Sequence, residues 1–318
     1  MKVSVVIPNY NGKKFLDDCM EALSKQTMKE FEVIIVDNGS TDGSQAYIKE
    51  KFPSVVLIEL QENTGFSGAV NVGIKAAKAK YVLLLNNDTK VFPDFVKQLY
   101  DAIRGNKRIF SVSSQMIKMY QPEQYDGTGD FYSLIGWAFA RGAGKLVKDH
   151  QYGARIFTSC AGAAIYRKST FEKMGYFDED FFAYREDIDV GYRARIYGYA
   201  NRYCEKAKVY HVGSGTSGST HNAFKVKLGV RNNIYLNYKN MPFFFLLCNL
   251  PFLAVGYIGK WIYFKKKGFG KEYKEGLLEG LRTCRSLDKV PFKWKHLPNY
   301  IAIQFYLLWG LVLGIKEM

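Results

Sequence analysis

The sequence predicts an α/β domain on a mixed, mainly parallel sheet flanked by helices, followed by a helical, membrane-associating region. Three observations predict it. Short apolar runs alternate with helical patterns through the first 85 residues; a polar cluster closes each of those runs; and the last quarter of the chain couples long uncharged stretches to excess lysine and arginine. With 318 residues, 47% hydrophobic and 24% charged, the chain can bury a core, and intrinsic disorder is excluded.

Taken in order, Val3 to Ile7 reads as a buried strand and 13–25 as a helix; Phe31 to Val36 is a strand and Ser44 to Lys51 a short helix. Val55 to Leu60 is a strand, Ser67 to Lys78 a helix, and Tyr81 to Leu85 a strand. Strands this short and this continuously apolar belong in a parallel sheet covered on both faces. Ligands of such sheets bind outside the carboxyl ends of the strands.

Each strand ends in a polar loop: Pro8-Asn9-Tyr10-Asn11-Gly12, Asp37-Asn38-Gly39-Ser40-Thr41-Asp42-Gly43, Glu62-Asn63-Thr64-Gly65-Phe66-Ser67-Gly68 and Asn86-Asn87-Asp88-Thr89. One such loop is ordinary turn chemistry. Four on the same edge make a nucleotide site. The first loop lacks the G-x-G-x-x-G of a dinucleotide-binding unit, and the chain contains no G-x-x-x-x-G-K-[ST] phosphate loop. The glycine-rich turn with Arg and Lys expected of a sugar-phosphate nucleotidyltransferase is also missing.

These loops, with Phe177-Asp178-Glu179-Asp180-Phe181-Phe182-Ala183-Tyr184-Arg185-Glu186-Asp187-Ile188-Asp189 further on, resemble the family 2 glycosyltransferases of the GT-A fold, specifically the bacterial rhamnosyltransferase-like group. The resemblance covers residues 1 to about 240. It implies a GT-A domain over 1–238, with a nucleotide-binding half at about 1–110 and an acceptor-binding half at about 111–238. Asp37 would accept hydrogen bonds from a uracil or thymine edge between Pro8 and Tyr10. Asn11, Asn63 and Gly65 would lie near the ribose and diphosphate, with the following helix pointing its N-terminus at the same anionic oxygens. Asn86-Asn87-Asp88 occupies the D-x-D position, where Asp88 would hold Mg²⁺ or Mn²⁺ and His211 could add a ligand. Arg231, in Arg231-Asn232-Asn233, could neutralise the diphosphate or could simply sit on a helix surface.

The same resemblance makes Asp187 the general base of an inverting transfer and Glu186 a neighbour that positions it or the acceptor. One carboxylate must remove the acceptor hydroxyl proton as that oxygen attacks the anomeric carbon. Helical spacing from Glu186 onward points Asp187 and Asp189 away from each other, so both cannot serve. The small-residue stretch Cys160-Ala161-Gly162-Ala163-Ala164-Ile165 would line the donor sugar or pack backbones closely, and Gly213 to Ser219 would form a mobile lid. The implied donor is dTDP-rhamnose or a UDP-hexose, and the implied acceptor a cell-surface glycan or polyprenyl-linked saccharide. A non-catalytic nucleotide-sugar-binding or scaffold protein is the competing reading.

The net charge is +15. Residues 239–318 carry 13 basic and 5 acidic side chains, a net of +8, against 32 and 25, a net of +7, in the rest. The uncharged runs Met241 to Gly259 and Leu297 to Ile315 lie in the same quarter, beside Lys265-Lys266-Lys267 and Lys293 and Lys295. Asn249, Pro251, Asn299 and Gln304 interrupt them, which suits helices in the headgroup region better than clean spans; a dimer interface is the other reading. Because the charge gathers beside apolar runs, nucleic acid is not the expected partner. Five cysteines without a C-x-x-C pair fit a reducing compartment. The chain also opens directly on a strand pattern, so the expected location is cytoplasmic, peripheral on the inner face of the cell membrane.

Overall fold

A computed structural model of the chain describes residues 1–213 and 221–317. The strands are β1 (Val3–Asn9), β2 (Phe31–Asn38), β3 (Val56–Leu60), β4 (Tyr81–Leu85), β5 (Thr89–Val91), β6 (Ile109–Lys118), β7 (Tyr125–Gly127), β8 (Asp130–Tyr132), β9 (Ala138–Ala140), β10 (Ala163–Arg167) and β11 (Ala200–His211). The helices are α1 (Lys13–Ser24), α2 (Ser44–Lys51), α3 (Gly65–Ala76), α4 (Phe95–Arg104), α5 (Lys168–Met174), α6 (Glu186–Ile196), α7 (Ala223–Asn240), α8 (Phe243–Lys266), α9 (Gly270–Thr283) and α10 (Leu297–Glu317).

The main sheet runs β3-β2-β1-β4-β10-β6-β11-β5, with β7 paired to β6, while β8 and β9 pair separately. Strands β1 to β4 are mutually parallel, as is the β6–β11 pair; β10 runs antiparallel between β4 and β6. The expected mixed, mainly parallel sheet is therefore present, and its early elements fall within two residues of the expected boundaries. Successive side chains of a strand face opposite ways. Val5 and Ile7 join Leu16, Leu23, Phe95 and Leu99 in one core, and Val6 joins Val36, Ile74, Phe110 and Phe171 in the other.

A third core unites the second half with the C-terminal helices: Phe131, Tyr132, Phe157 and Tyr192 pack with Tyr300, Ile303 and Leu307 of α10. Helices α8 and α10 are long and apolar enough to cross a membrane, yet each docks one face on the body. On α8, Asn249, Leu253 and Gly256 are buried, whereas Phe243, Phe244, Leu247, Val255 and Ile258 are exposed. A Cβ at Gly256 would collide with the Ile135 carbonyl, so glycine is what lets α8 approach. Three of the interruptions, Asn249, Asn299 and Gln304, have protein partners. Asn249 Nδ2 donates to Gln304 Oε1 at 2.9 Å, and Asn299 Nδ2 to the Ile196 carbonyl at 2.9 Å.

Candidate active site

Because β1, β2, β3 and β4 are parallel, their four polar loops emerge on one edge, and amide side chains lace them together. Asn87 Nδ2 donates to Asn9 Oδ1 at 2.7 Å, and Asn9 Nδ2 donates to Asp37 Oδ2 at 2.9 Å. Asp37 is fully buried, and its other oxygen accepts from the Ser40 amide at 3.0 Å and Gln45 Nε2 at 2.8 Å. Asp37 thus organises the edge from beneath, and Tyr10, 36% exposed, is the ring presented on top. Asn11, with φ 50°, accepts the Thr41 amide at 2.8 Å, and Asn63 Oδ1 accepts from Asn38 Nδ2 and the Gly65 amide at 2.9 Å each. Pro8 closes β1 beside them, partly buried.

Gly65 is needed for a close contact within the protein. It has φ 74°, and a Cβ would collide with the backbone and ring of Phe182. The Ser67 amide, at the start of α3, donates to the Phe182 carbonyl at 3.2 Å. The acidic loop thus packs directly on Gly65 and binds the two sides of the site together.

Asp88 and His211, far apart in sequence, meet because β11 pairs with β5. His211 Nε2 lies 3.2 Å from Asp88 Oδ1 and 3.4 Å from Asn86 Nδ2, while Nδ1 contacts Asp126 Oδ2 at 2.7 Å. Burial alone would depress the imidazole pKa, but hydrogen bonds to Asp126 and Asp88 outweigh it and push it up to about 10. At that pKa both ring nitrogens carry protons and face carboxylates, so Asp88 is the group ready to ligate a hard divalent ion, and His211 could join it only by releasing its Nε2 proton. A cavity of about 260 Å³ opens beside Asp88, with Lys14, Phe15 and Tyr120 on its walls.

Asp187 is the second residue of α6, behind a strained turn: Phe182, Tyr184 and Arg185 all have positive φ, of 60°, 69° and 76°. Such strain in non-glycine residues clusters at functional sites. The Asp187 carboxyl accepts from the Ile188 amide at 2.7 Å and from the Ala161 amide, and it hydrogen-bonds to the Asp130 carboxyl. Ligand atoms of Asp130, Cys160 and Asp187 lie within 4.8 Å of one another. Burial raises both acids, and Asp130, which also faces the Asp187 charge, is raised well above the usual range, so of the two it holds a proton more readily. Burial also raises the Cys160 thiol, so it stands beside the two acids as a neutral thiol.

The turn at 160–162 couples this group to the Asn86–Asp88 turn. The Asn86 amide donates to the Gly162 carbonyl at 2.8 Å, while the Ala161 amide serves Asp187. Glu186 is buried, with Oε2 lacking a partner among the described residues, and burial followed by the Asp187 charge raises its pKa well above the ordinary value. Asp189 turns away into a buried ion pair with Arg193 at 2.8 Å. The structure does not bring Arg231 to this group: its guanidinium contacts Glu279 at 3.3 Å and the Asp180 carbonyl at 2.9 Å. The expected lid lies outside the described residues from 214 onward.

Asp130 and Asp126 are additions that the sequence analysis missed, while Cys160 was read only as the head of a small-residue stretch. Asp130 stands at the head of a three-residue strand, and the only sequence signal was a lone carboxylate before Phe131-Tyr132.

A mainly parallel α/β sheet with four polar loops on one edge and a buried carboxyl pair joined to it through the 160–162 turn fits a GT-A type of domain. The chain belongs to glycosyl transferase family 2, whose model matches residues 4–175. It is 26% identical over 239 residues to the N-acetylglucosaminyl-diphospho-decaprenol L-rhamnosyltransferase of Mycobacterium tuberculosis, covering 67% of this chain and 77% of that protein. It is 28% identical over 230 residues to glycosyltransferase GlyA of Streptococcus pneumoniae, covering 62% of this chain but only 32% of that longer protein. Its fold resembles the crystal structure of GalNAc-T7 with UDP, GalNAc and Mn²⁺, with a TM-score of 0.59, 16% identity, and coverage of 75% of this chain and 48% of that one.

Proposed function

We propose that the chain is an inverting glycosyltransferase. In this reading it moves rhamnose or another hexose from a dTDP- or UDP-sugar to a lipid-linked or cell-surface glycan. The observation that carries the proposal is the Asp130–Asp187 carboxyl pair, joined through the 160–162 turn to Asn86 and Asp88. The rhamnosyltransferase likeness supports the sugar and the lipid-linked acceptor, and the UDP and Mn²⁺ of GalNAc-T7 support a pyrimidine diphosphate with a divalent ion.

Tyr10 and Pro8 wall the base, and the Asn9-Asp37-Asn87 lattice holds their loops in register. Asp88 and His211 would hold Mg²⁺ or Mn²⁺, which when bound offsets the negative charge growing on the departing diphosphate. Asp187 takes the acceptor hydroxyl proton while that oxygen attacks the anomeric carbon from the face opposite the leaving group. The bond to the diphosphate breaks as the new glycosidic bond forms, and the configuration inverts. Asp130, protonated, holds the Asp187 carboxylate in place and in its ionised form. Outside the site, the exposed apolar faces of α8 and α10, next to Lys265-Lys266-Lys267, would seat the enzyme peripherally on the cytoplasmic membrane face.

The test is sugar release and transfer from dTDP-rhamnose and UDP-hexoses, with Mn²⁺, by wild type and Asp187→Asn. The reading expects turnover in wild type alone, with the anomeric configuration inverted in the product. Equal, negligible rates in both would favour a non-catalytic binding protein.

A further inference from the structure

A second cavity, of about 80 Å³, lies beside the strained turn before Asp187, between α7, α8 and α9. Arg185, Lys225 and Lys260 line it with Asn233, Tyr257 and Tyr273, and no carboxylate does. Arg185 and Lys260 act on each other there, and like charges in a buried hollow repel unless an anion joins them. Two buried donors there, Arg185 Nε and the Tyr273 hydroxyl, have no partner among the described residues. Buried donors are almost always paired, so an orphaned pair points to a missing acceptor.

Arg185 faces two ways. Its charge opposes the upward push of burial on Asp187, two residues on, and it also acts on Lys260, whose ammonium burial and then Arg185 push down to about 7. The cavity and the base thus flank one guanidinium. On α8, Tyr257, Lys260 and Phe264 line the cavity, and the neighbouring stripe of Val255, Ile258 and Ile262 is exposed. An apolar tail leaving the cavity would meet that stripe directly.

We propose that this cavity binds the phosphate or diphosphate of a lipid-linked acceptor, with Arg185, Lys225 and Lys260 as its cationic ligands. The inference rests on the lipid-linked acceptor named above. Arg185 supplies a planar fork suited to phosphate oxygens, and the two ammonium groups supply point charges. An acceptor sugar would then sit with its anomeric phosphate in the cavity, its reactive hydroxyl at Asp187 and its lipid along α8.

The experiment measures binding of farnesyl diphosphate to the full chain in detergent, with saturating UDP and Mn²⁺ so that the donor edge is filled. Wild type is compared with Lys260→Gln and Lys225→Gln, each checked for an unchanged melting temperature. The expected result is saturable binding that each substitution weakens about tenfold, as loss of a charge-assisted contact to phosphate predicts. Inorganic pyrophosphate should bind more weakly than farnesyl diphosphate, and farnesol should not compete. Unchanged affinity in both variants would overturn the proposal. So would pyrophosphate binding as tightly as farnesyl diphosphate, which marks a free-anion site, or an equal tenfold loss on phosphatidylglycerol vesicles, which marks a headgroup site. The donor reading fails separately, by the absence of any stabilisation with UDP and Mn²⁺.

Discussion

The two sides of the site are built from opposite materials. The edge left by β1 to β4 is a lattice of neutral amides in which Asn9, Asn38, Asn63 and Asn87 satisfy one another, and its buried carboxylate, Asp37, is saturated by three donors. The facing side carries carboxyl groups of Asp130, Glu186 and Asp187 in a confined space, all with raised pKa values. A saturated amide lattice is rigid and inert, which suits recognition of a fixed nucleotide. Crowded, perturbed carboxyls suit proton transfer, for which a base must be poised close to the working pH.

The sharpest way to break this contrast is Asp187→Asn, which should lower kcat by about 10²–10⁴ while stabilisation by UDP and Mn²⁺ stays at the wild-type level. A matching loss of nucleotide binding would place Asp187 on the recognition side instead. Next in size is Gly65→Ala. The new Cβ would strike Phe182, where the two sides touch, and should cost about 1–3 kcal/mol of stability, read by urea unfolding.

Asp130→Ala sharpens the comparison by pH. Asp187 works ionised, so the rate rises with pH through its pKa. Loss of the hydrogen bond from Asp130 disfavours the carboxylate, so the acid limb of kcat/KM should move to higher pH by about one unit. Asp130→Asn keeps a donor and should move it less, and a shift to lower pH would show that Asp130 is ionised. The smallest expected effect on the fold comes from Val255→Ser with Ile258→Ser. Both residues are exposed, so stability should stay within about 0.5 kcal/mol, with sedimentation on anionic vesicles reduced.

How much the sequence disclosed follows the same division. Strand ends such as Asn9, Asp37 and Asp88 are legible because each closes an apolar run, and a parallel sheet puts all such ends on one edge. Asp187 and its helix are legible from local spacing and resemblance. Asp130, as the partner of Asp187, is not, because it lies in the stretch after β6 where strands are three residues long and no periodicity marks them. Its meeting with Asp187 depends on backbone pairing of Asp130 with Phe157 and Thr158 and on the Thr158 hydroxyl donating to the Asp187 carbonyl at 2.7 Å. Arg231 shows the reverse case: a basic residue beside Asn232-Asn233 resembles a ligand until Glu279 and the Asp180 carbonyl are seen to hold it.

The most direct test of the shared site is the melting temperature with UDP or dTDP, with and without Mn²⁺, in wild type, Asp88→Asn and Asp187→Asn. A ligand that binds only the folded chain raises its stability by mass action. The account predicts a metal-dependent rise in wild type and in Asp187→Asn, and its loss in Asp88→Asn. A rise that ignores the metal, or one that survives in Asp88→Asn, would contradict it.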